Sequence, residues 1–411
     1  MDVVVACCAG LDVHQASVVA CVNSTGPNGR SHKEIRTFGT MRDDLIALRD
    51  WLKDAGVTAV AMESTGVYWK PVFQMLEDDF ETIVVNAQHI KNVPGRKTDV
   101  KDCAWISDLL RHGLLRPGFV PPRAIRDLRE LNRYRRKVAQ VQAGERNRLI
   151  KVLETAGIKL AGVASDVFGV SGRAMIRALI EGEDTPRAMA GLARGKLRGK
   201  LKELARALDV PLQPHQRFML RTQLARIEQA EADLQRIDTT LREMIAPYDH
   251  YMRLLMSIPG VEWINAVTII AEIGIDMSAF ASAAHLASWA GLCPGNNESA
   301  GKQRSGKSRK GNVFLKTALV TAAITGCRRR GGTHLAEKYR RLRARRGTMR
   351  AAVAVAHKIL VSIWHMLSNG TFYQDPGAGF LDKMDRERTS KHLVRRLVNM
   401  GFEVQLQEKA A

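Results

Sequence analysis

The sequence predicts an α/β domain at the N-terminus, followed by a mostly α-helical remainder. Short apolar runs alternate with amphipathic helical patterns through residues 1–122. After Pro121 and Pro122 the apolar residues recur only at helical spacing, and the net charge changes from −2 in residues 1–122 to +23 in residues 123–411. A near-neutral front joined to a strongly basic remainder is typical of a chemistry module attached to modules that bind a polyanion.

Length and composition are those of a globular protein with an unusual charge. The chain has 411 residues, 45% of them hydrophobic and 26% charged, which allows two or three domains with substantial cores. Its 63 Lys and Arg residues outnumber 42 Asp and Glu residues, for a net charge of +21. A ribosomal-type or membrane-surface protein is a weaker interpretation, because the acidic residues concentrate at the front.

The cysteines and the apolar runs favour an intracellular protein without a membrane partner. None of the six cysteines forms a C-x-x-C pair or has histidine at zinc spacing, so we expect small apolar residues in a reducing compartment. No signal peptide is visible, and no uncharged apolar run approaches the length of a membrane span. We expect a cytoplasmic, nucleoid-associated protein.

The order of elements in residues 1–122 predicts a ribonuclease H-like fold. Three strands form an antiparallel meander, followed by a helix and then by alternating strands and helices. The predicted strands are 3–13, 16–22, 31–39, 57–64 and 81–86, and the predicted helices are 42–56, 69–79 and one that carries Asp99 and Asp102.

Four carboxylates are predicted to meet at one edge of this sheet. Asp12 lies on the first strand, Glu63 ends the fourth, and "GRKTDVKDCAW" places Asp99 and Asp102 on one face of a helix. A simpler interpretation of the last pair is a helix start capped by Thr98, where the helix dipole favours acidic residues. Four converging carboxylates need cations, and two Mg²⁺ ions about 3.5–4 Å apart would serve phosphodiester exchange.

Residues 123–411 contain two predicted long helices. Residues 123–155 carry a row of arginines that is either a solvated face or a phosphate-binding stripe: Arg126, Arg129, Arg133 and Arg136. Residues 214–246 carry a partial heptad, which fits a bundle helix and a coiled-coil dimer contact equally well. We expect a homodimer or homotetramer.

Two further patterns lie in the last third of the chain. Pro259 and Gly260 separate two apolar helical segments, either as a helix-hairpin-helix that presents backbone N–H groups to a phosphate or as a plain helical hairpin. Residues 285–323 predict a helix, a basic loop and a second helix. The loop holds Ser299, Ser305 and Ser308 among five cations, Lys302, Arg304, Lys307, Arg309 and Lys310.

Serine beside guanidinium groups suits attack on a phosphate, although loop serines are more often only turn residues. The segment "GKQRSGKS" matches the P-loop pattern by letter, but no buried strand precedes it and no apolar strand ending in Asp follows. We therefore reject nucleotide binding there.

At these residues the chain resembles the DEDD transposases of the insertion-sequence-110 type, which are related to the Piv and MooV DNA invertases. The resemblance covers nearly the whole chain and rests on "GLDVHQ", "AMESTGVYW", "GRKTDVKDCAWISDLLRHGLL", "RELNRYRRKVAQ", "SIPGVEWINA" and "GLCPGNNESAGK…SRKGN". It implies a RuvC-like domain over 1–122, a basic helical or coiled-coil region over 123–250, a C-terminal transposase domain with a helix-hairpin-helix over 251–370, and a tail over 371–411.

The resemblance also implies roles for individual residues. Asp12, Glu63, Asp99 and Asp102 would be the catalytic, metal-binding carboxylates, and Ser299 the nucleophile that becomes joined to DNA. The family often has Ser-Gly where this chain has Ser299-Ala300, so Ser305 and Ser308 stay open as alternatives. A structured RNA encoded by the element is the implied second partner beside double-stranded DNA.

The sequence thus predicts a Mg²⁺-dependent DNA recombinase acting by serine transesterification. One alternative is a RuvC-like nuclease in which water attacks, and covalent protein–DNA adducts separate the two. A non-catalytic nucleic-acid-binding protein is the third hypothesis, which cleavage that disappears with EDTA would exclude.

Overall fold

The computed structural model describes most of the chain and divides it into two compact units. It covers residues 2–26, 30–86, 90, 102–182, 185–295, 297–299, 302–305, 308–328, 332–381 and 386–407, with backbone only at 297–299, 302–305 and 387–389. The units are Met1–Val120 and Pro121–Ala411. The predicted domain boundary at residue 122 and the finer division of residues 123–411 stay predictions.

A mixed five-stranded sheet forms the centre of the N-terminal unit. Its order is β3-β2-β1-β4-β5, with β1, β2 and β3 antiparallel and with β4 parallel to β1 and β5 parallel to β4. The strands are β1 Cys7–Val13, β2 Ser17–Thr25, β3 Ser31–Gly39, β4 Ala59–Glu63 and β5 Glu81–Val85. This meander with two parallel additions is the predicted topology, and it is compatible with a RuvC-like domain.

The two faces of the sheet are covered by different helices. Alternate side chains of each strand point to opposite faces. Leu11, Val60 and Met62 pack with the helices α1 Arg42–Asp54 and α2 Trp69–Leu76 in one core. Cys8, Ala59 and Ala61 pack instead with the helix α3 Asp102–Arg111. By the same alternation, Asp12 and Glu63 belong to the α3 face.

Gly10 allows α3 to lie directly on β1. A Cβ atom at this position would lie 2.2 Å from the carbonyl oxygen of Cys103 and 2.4 Å from the backbone nitrogen of Ser107. No side chain fits at such distances, because real Cβ contacts do not come that close. The glycine therefore sets how near α3, with Asp102 at its start, lies to the strand that carries Asp12.

A buried polar network fixes the far end of α3. Asn23, which is fully buried, accepts a hydrogen bond from Arg111 at 3.0 Å and donates one to Asp108 at 3.0 Å. The Nζ atom of Lys33 on β3 donates to the same Asp108 carboxylate at 2.6 Å. Because buried polar groups are costly when unpaired, this network holds α3 against β2 and β3 in one position.

Two long helices dominate the first part of the C-terminal unit. Helix α4 Arg123–Thr155 packs against α9 Pro214–Ile245, and ion pairs of Arg135 with Asp238 and of Arg146 with Glu231 show that they run antiparallel. Smaller helices complete this core: α5 Leu160–Val163, α6 Val170–Glu181, α7 Pro186–Gly191 and α8 Leu201–Leu208.

The apolar face of α9 is buried inside its own chain. The heptad-like residues Leu220, Leu224 and Ile227 belong to the core that α4 and α6 also line. The bundle-helix interpretation accounts for these residues, and the predicted oligomer needs other surfaces.

Among the residues that the structure describes, the regular elements in the rest of the unit are helices and one short hairpin. The helices are α10 Asp249–Met256, α11 Trp263–Ile273, α12 Ala283–Trp289, α13 Val313–Arg328, α14 His334–Arg346, α15 Thr348–Asn369 and α16 Arg386–Asn399. The hairpin strands are β6 Asn297–Ser299 and β7 Lys302–Ser305. The sequence predicts only a loop there, since strands of three and four polar residues show no apolar alternation.

The predicted helical hairpin around Pro259 and Gly260 is present as α10 and α11. Gly260 has a φ of +89°, and a Cβ there would lie 2.2 Å from the carbonyl oxygen of Ala322 on α13. The glycine is thus required for the turn and for its packing on α13. Its role as a helix-hairpin-helix that binds phosphate stays a prediction.

Helix α15 is long and apolar enough to cross a membrane by length and composition, with a hydropathy of 1.4. Half of the apolar part of this helix is buried in the chain, and Arg350 and Lys358 interrupt its run of apolar residues. It packs against α12, α13 and α14, which is the pattern of a core helix. No membrane protein is indicated by this segment.

The close contact at Gly10 generates a testable prediction. Gly10→Ala should destabilise the packing of α3 on β1 by about 1–3 kcal/mol, as overpacked core positions do. Hydrogen exchange of the peptides that cover β1 and α3 should accelerate. Gly191→Ala is the control, because open space surrounds that glycine. Unchanged exchange in Gly10→Ala would show that α3 does not depend on this contact.

Candidate active site

Three of the four predicted carboxylates line one cavity of the N-terminal unit. Asp12 comes from β1, Glu63 from the end of β4 and Asp102 from the first turn of α3, around a volume of about 270 Å³. The fourth carboxylate, Asp99, lies outside the described residues. Three sequence-distant acids in one cavity are the main feature of this unit.

The strand register explains why Asp12 and Glu63 meet. The parallel pairing of β1 with β4 aligns Leu11 with Met62, so the next residue of each strand follows at the same edge. Both carboxylates belong to the α3 face, and the Gly10 contact brings Asp102 to that face. The first turn of α3 also favours a carboxylate through the helix dipole, so the simpler interpretation of Asp102 is compatible with a site.

Two neighbours of the carboxylates were not predicted from the sequence. The Nε2 atom of His14 lies 3.1 Å from Asp12 Oδ2, and the hydroxyl of Thr65 donates to Glu63 Oε1 at 3.0 Å. Both residues line the cavity. The signal for them was present, since His14 is in "GLDVHQ" and Thr65 is in "AMESTGVYW".

The oxygen donors of this cavity fit a hard divalent cation. Mg²⁺ prefers carboxylate oxygens and keeps several waters, so it needs few protein ligands. Within the described ranges, which leave out Asp99, no group of three or more His, Cys, Asp or Glu side chains is placed so that it could hold a metal ion. Only the type of donor atom fits Mg²⁺, and the ion itself stays a prediction.

In the C-terminal unit the segments on either side of the β6–β7 hairpin, 291–294 and 308–311, contact each other closely and form its stem. Pro294 and Ser308 form a bridge, and a Cβ at Gly311 would lie 2.3 Å from the backbone nitrogen of Gly291. The ammonium of Lys316 donates to Gly291 O at 3.0 Å and to Ser308 Oγ at 2.7 Å. Ser308 is therefore a stem residue whose hydroxyl has an intramolecular partner.

The other serines and cations of this segment lie in or beside the hairpin. Ser299 is the last residue of β6 and pairs with Lys302, while Ser305 ends β7 and pairs with Asn297. Arg304 lies in β7, and Lys307 is outside the described residues. Arg309 and Lys310 are exposed between the stem and α13. Two of the three candidate serines, Ser299 and Ser305, therefore lie on the backbone of the hairpin.

A buried glutamate that the sequence did not predict as a site residue links this segment to α4. Glu272 on α11 is fully buried and accepts two hydrogen bonds from Arg133, at 2.8 and 2.7 Å. It also accepts one from Asn312 Nδ2 at 2.6 Å. Asn312 in turn accepts hydrogen bonds from the backbone N–H groups of Phe314 and Leu315 and so caps α13. One carboxylate thereby fixes the C-terminal side of the hairpin stem.

The arginines predicted as a phosphate-binding stripe all have intramolecular partners. Arg129 donates to the backbone carbonyls of Ala271 and Glu272, and burial lowers the pKa of its guanidinium to about 10. Arg126 donates to the carbonyl of Pro121, and Arg136 donates to the hydroxyl of Thr317. With Arg133 on Glu272, the row serves packing in this structure, and its nucleic-acid role stays a prediction.

The Glu272 cluster can be tested by one substitution. Glu272→Gln should destabilise the C-terminal unit by about 3 kcal/mol, because Glu272 is fully buried and its charge pairs with Arg133 and with the mostly buried Arg129. Urea unfolding measures this change. Glu181→Gln is the matched control, since its pair with Arg221 is exposed and should cost under about 1 kcal/mol. Equal effects of both variants would contradict the structural role of Glu272.

Two protein-family models match the chain. A DEDD-type transposase model of the IS110 family matches residues 9–158, and a model described as "Transposase IS116/IS110/IS902 family" matches residues 252–340. The two models therefore include the carboxylate cavity and the serine hairpin and together span more than half of the chain.

Individual relatives extend the similarity between the two matched regions. The chain is 25% identical over 333 residues to the transposase for insertion sequence element IS1111A of Coxiella burnetii, covering 77% of this chain and 80% of that protein. It is 26% identical over 326 residues to the IS900 uncharacterized 42 kDa protein of Mycobacterium paratuberculosis, covering 71% and 79%. The IS110 uncharacterized 43.6 kDa protein of Streptomyces coelicolor is 35% identical over 124 residues, 29% of this chain and 30% of that protein. The chain belongs to the IS110 family of insertion-sequence transposases.

Proposed function

We propose that this transposase cuts and rejoins DNA by Mg²⁺-dependent serine transesterification. The observation that carries the proposal is the cavity lined by Asp12, Glu63 and Asp102, which come from three separate elements. Such a concentration of acidic side chains repels phosphate by itself and becomes useful for phosphoryl chemistry once cations are present.

Asp12, Glu63 and Asp102 would hold Mg²⁺, together with Asp99. Bound Mg²⁺ would supply the positive charge that stabilises the oxygens of the exchanging phosphodiester. His14 and Thr65 orient the carboxylates, since each makes a hydrogen bond to one of them. This support from neighbouring side chains is typical of residues that must keep one geometry.

Ser299 is the proposed nucleophile. Its hydroxyl oxygen would form a bond to phosphorus and lose its proton, while one bridging P–O bond of the DNA strand breaks and its oxygen takes up a proton. A strand hydroxyl would later attack the serine–phosphate ester and restore a phosphodiester, so bond energy is conserved. Cations of the same segment, such as Arg309 and Lys310, would stabilise the developing charge.

The strongly basic C-terminal part would carry the nucleic-acid partners. Its net charge of +23 beyond residue 122 suits double-stranded DNA and the structured guide RNA that the family resemblance implies. The α10–α11 hairpin would contact the nucleic-acid backbone as a helix-hairpin-helix. The active protein would be a homodimer or homotetramer. The reaction would take place on the chromosome in the cytoplasm.

A covalent adduct tests the proposal. Wild-type protein incubated with DNA carrying the element ends and Mg²⁺ should yield a serine–DNA ester, which mass spectrometry of the digested adduct should locate at Ser299. Ser299→Ala should lose both the adduct and recombination, and EDTA should prevent adduct formation in the wild-type protein.

Ser308→Ala is the matched control in the same segment. Its hydroxyl already bonds Lys316, so its removal should weaken the stem without preventing the adduct. DNA attached at Ser305 or Ser308 would reassign the nucleophile. Metal-dependent cleavage without any adduct would favour the nuclease in which water attacks.

A further inference from the structure

A second basic region lies outside the hairpin and outside the arginine row of α4. Residues 338–374 contain eight Lys and Arg residues and no Asp or Glu. They span most of α14, all of α15 and the short segment beyond it. The acid-poor stretch extends further towards the N-terminus, because Glu337 is the single acid between Glu298 and Asp375.

Two lysines and two histidines are concentrated where α14 packs on α15. Lys338 and Lys358 are half-buried and repel each other, and burial together with that repulsion lowers the pKa of Lys338. Burial and the two lysines also lower the pKa values of His334 and His357. Like charges held this close destabilise the free protein and are relieved by an anion between them.

One of the two histidines is buried and has a ring nitrogen without a hydrogen-bond partner among the described residues. His334 is only 5% exposed, and its Nδ1 atom has no hydrogen-bond partner among the described residues. The nearby Asp375 already accepts hydrogen bonds from the backbone N–H groups of His334 and Gly377. Asp375 is thus engaged with backbone, and Glu337 pairs with Arg340 and Arg341.

Exposed arginines continue the charge away from the two lysines. Arg343, Arg345, Arg346 and Arg350 are all exposed, at the end of α14 and the start of α15. Within the described part of the chain, neither these four nor Lys338 and Lys358 form an ion pair with an acidic side chain. By contrast, Arg340 and Arg341 in the same helix both pair with Glu337.

Elsewhere in the C-terminal unit, arginines that lie between packed helices pair with carboxylates. Arg135 pairs with Asp238, Arg146 with Glu231 and Arg133 with Glu272. These arginines bridge helices and have carboxylate partners, whereas in the described residues those of the α14–α15 corner do not. The charge of the corner arginines is therefore available to a partner outside the chain.

We propose that the α14–α15 corner, formed by Lys338, Arg343, Arg345, Arg346, Arg350 and Lys358, binds the phosphate backbone of double-stranded DNA. The inference rests on the proposed function only in taking duplex DNA as the substrate. Contacts of flexible cations with phosphates position a duplex without reading its sequence, so this surface holds DNA in register for the reaction.

The salt dependence of DNA binding tests this surface. The triple variant Arg343→Gln, Arg346→Gln, Arg350→Gln should bind a labelled DNA duplex of arbitrary sequence more weakly than the wild type. The slope of log affinity against log salt should become shallower by about 0.9 for each phosphate that is no longer neutralised, so by about 2 to 3 in total. Fluorescence anisotropy without divalent metal measures DNA binding in the absence of catalysis. The measured slope therefore does not depend on whether Ser299 is the nucleophile.

The control removes the same charge elsewhere in the same unit. Arg221→Gln, Arg236→Gln, Arg253→Gln replaces three exposed arginines that pair with Glu181, Asp233 and Asp249. This control should keep most of the wild-type slope. The matching triple substitution of Arg343, Arg346 and Arg350 by Lys should restore the slope, which separates the removal of charge from a folding defect.

Three outcomes would overturn the proposal. Equal slopes for the corner variant and the control variant would show that only net charge matters. If the triple Lys variant does not recover DNA binding, the loss of binding in the Gln variant comes from a folding defect and not from the removal of charge. A weakening confined to an RNA duplex of the same length, with DNA binding unchanged, would assign the surface to RNA.

Discussion

The contact between the backbone of α3 and Gly10 of β1 is the constraint on which the N-terminal unit depends. With 2.2 Å from a Cβ at residue 10 to the carbonyl of Cys103, no side chain can separate the helix from the sheet. The helix therefore carries Asp102 to the face that already displays Asp12 and Glu63 through strand alternation. The buried Asn23 network then prevents α3 from sliding along the sheet.

The C-terminal unit uses charge in two different ways. The buried Glu272 pairs with the half-buried Arg133 and fixes Asn312, which caps α13 at the end of the hairpin stem. The α14–α15 corner keeps its cations without acidic partners in the described residues. In the described residues, Arg343, Arg345, Arg346 and Arg350 of this corner are exposed and have no carboxylate partner, which makes them available to nucleic acid.

Much of this organisation follows from the sequence. The three-strand meander, the parallel pair and the convergence of Asp12, Glu63 and Asp102 depend on apolar periodicity and strand order, which local sequence reveals. The ends of α4 and α9 were also predicted to within a residue or so, because long amphipathic patterns with proline at or before their start are distinctive.

The features that escaped prediction depend on contacts between distant residues. The β6–β7 hairpin has no apolar alternation, since a stem around Gly291 and Gly311 supports it instead of a core. The partner of Arg133 could not be deduced from α4 alone, because Glu272 lies 139 residues away. A signal existed, however, as Glu272 is the one acid within the apolar helix "WINAVTIIAEI".

Direct measurement of Mn²⁺ binding tests most sharply whether the three carboxylates form a metal site. Electron paramagnetic resonance of the full-length protein titrated with Mn²⁺ reports bound ion without requiring DNA or turnover. Asp12→Asn and Asp102→Asn should each lose the bound ion, because an amide keeps the shape of the side chain and removes its charge. Asp50→Asn, at an exposed aspartate paired with Arg49, should bind Mn²⁺ as the wild type does. Equal Mn²⁺ binding by all four proteins would contradict a metal site at this cavity.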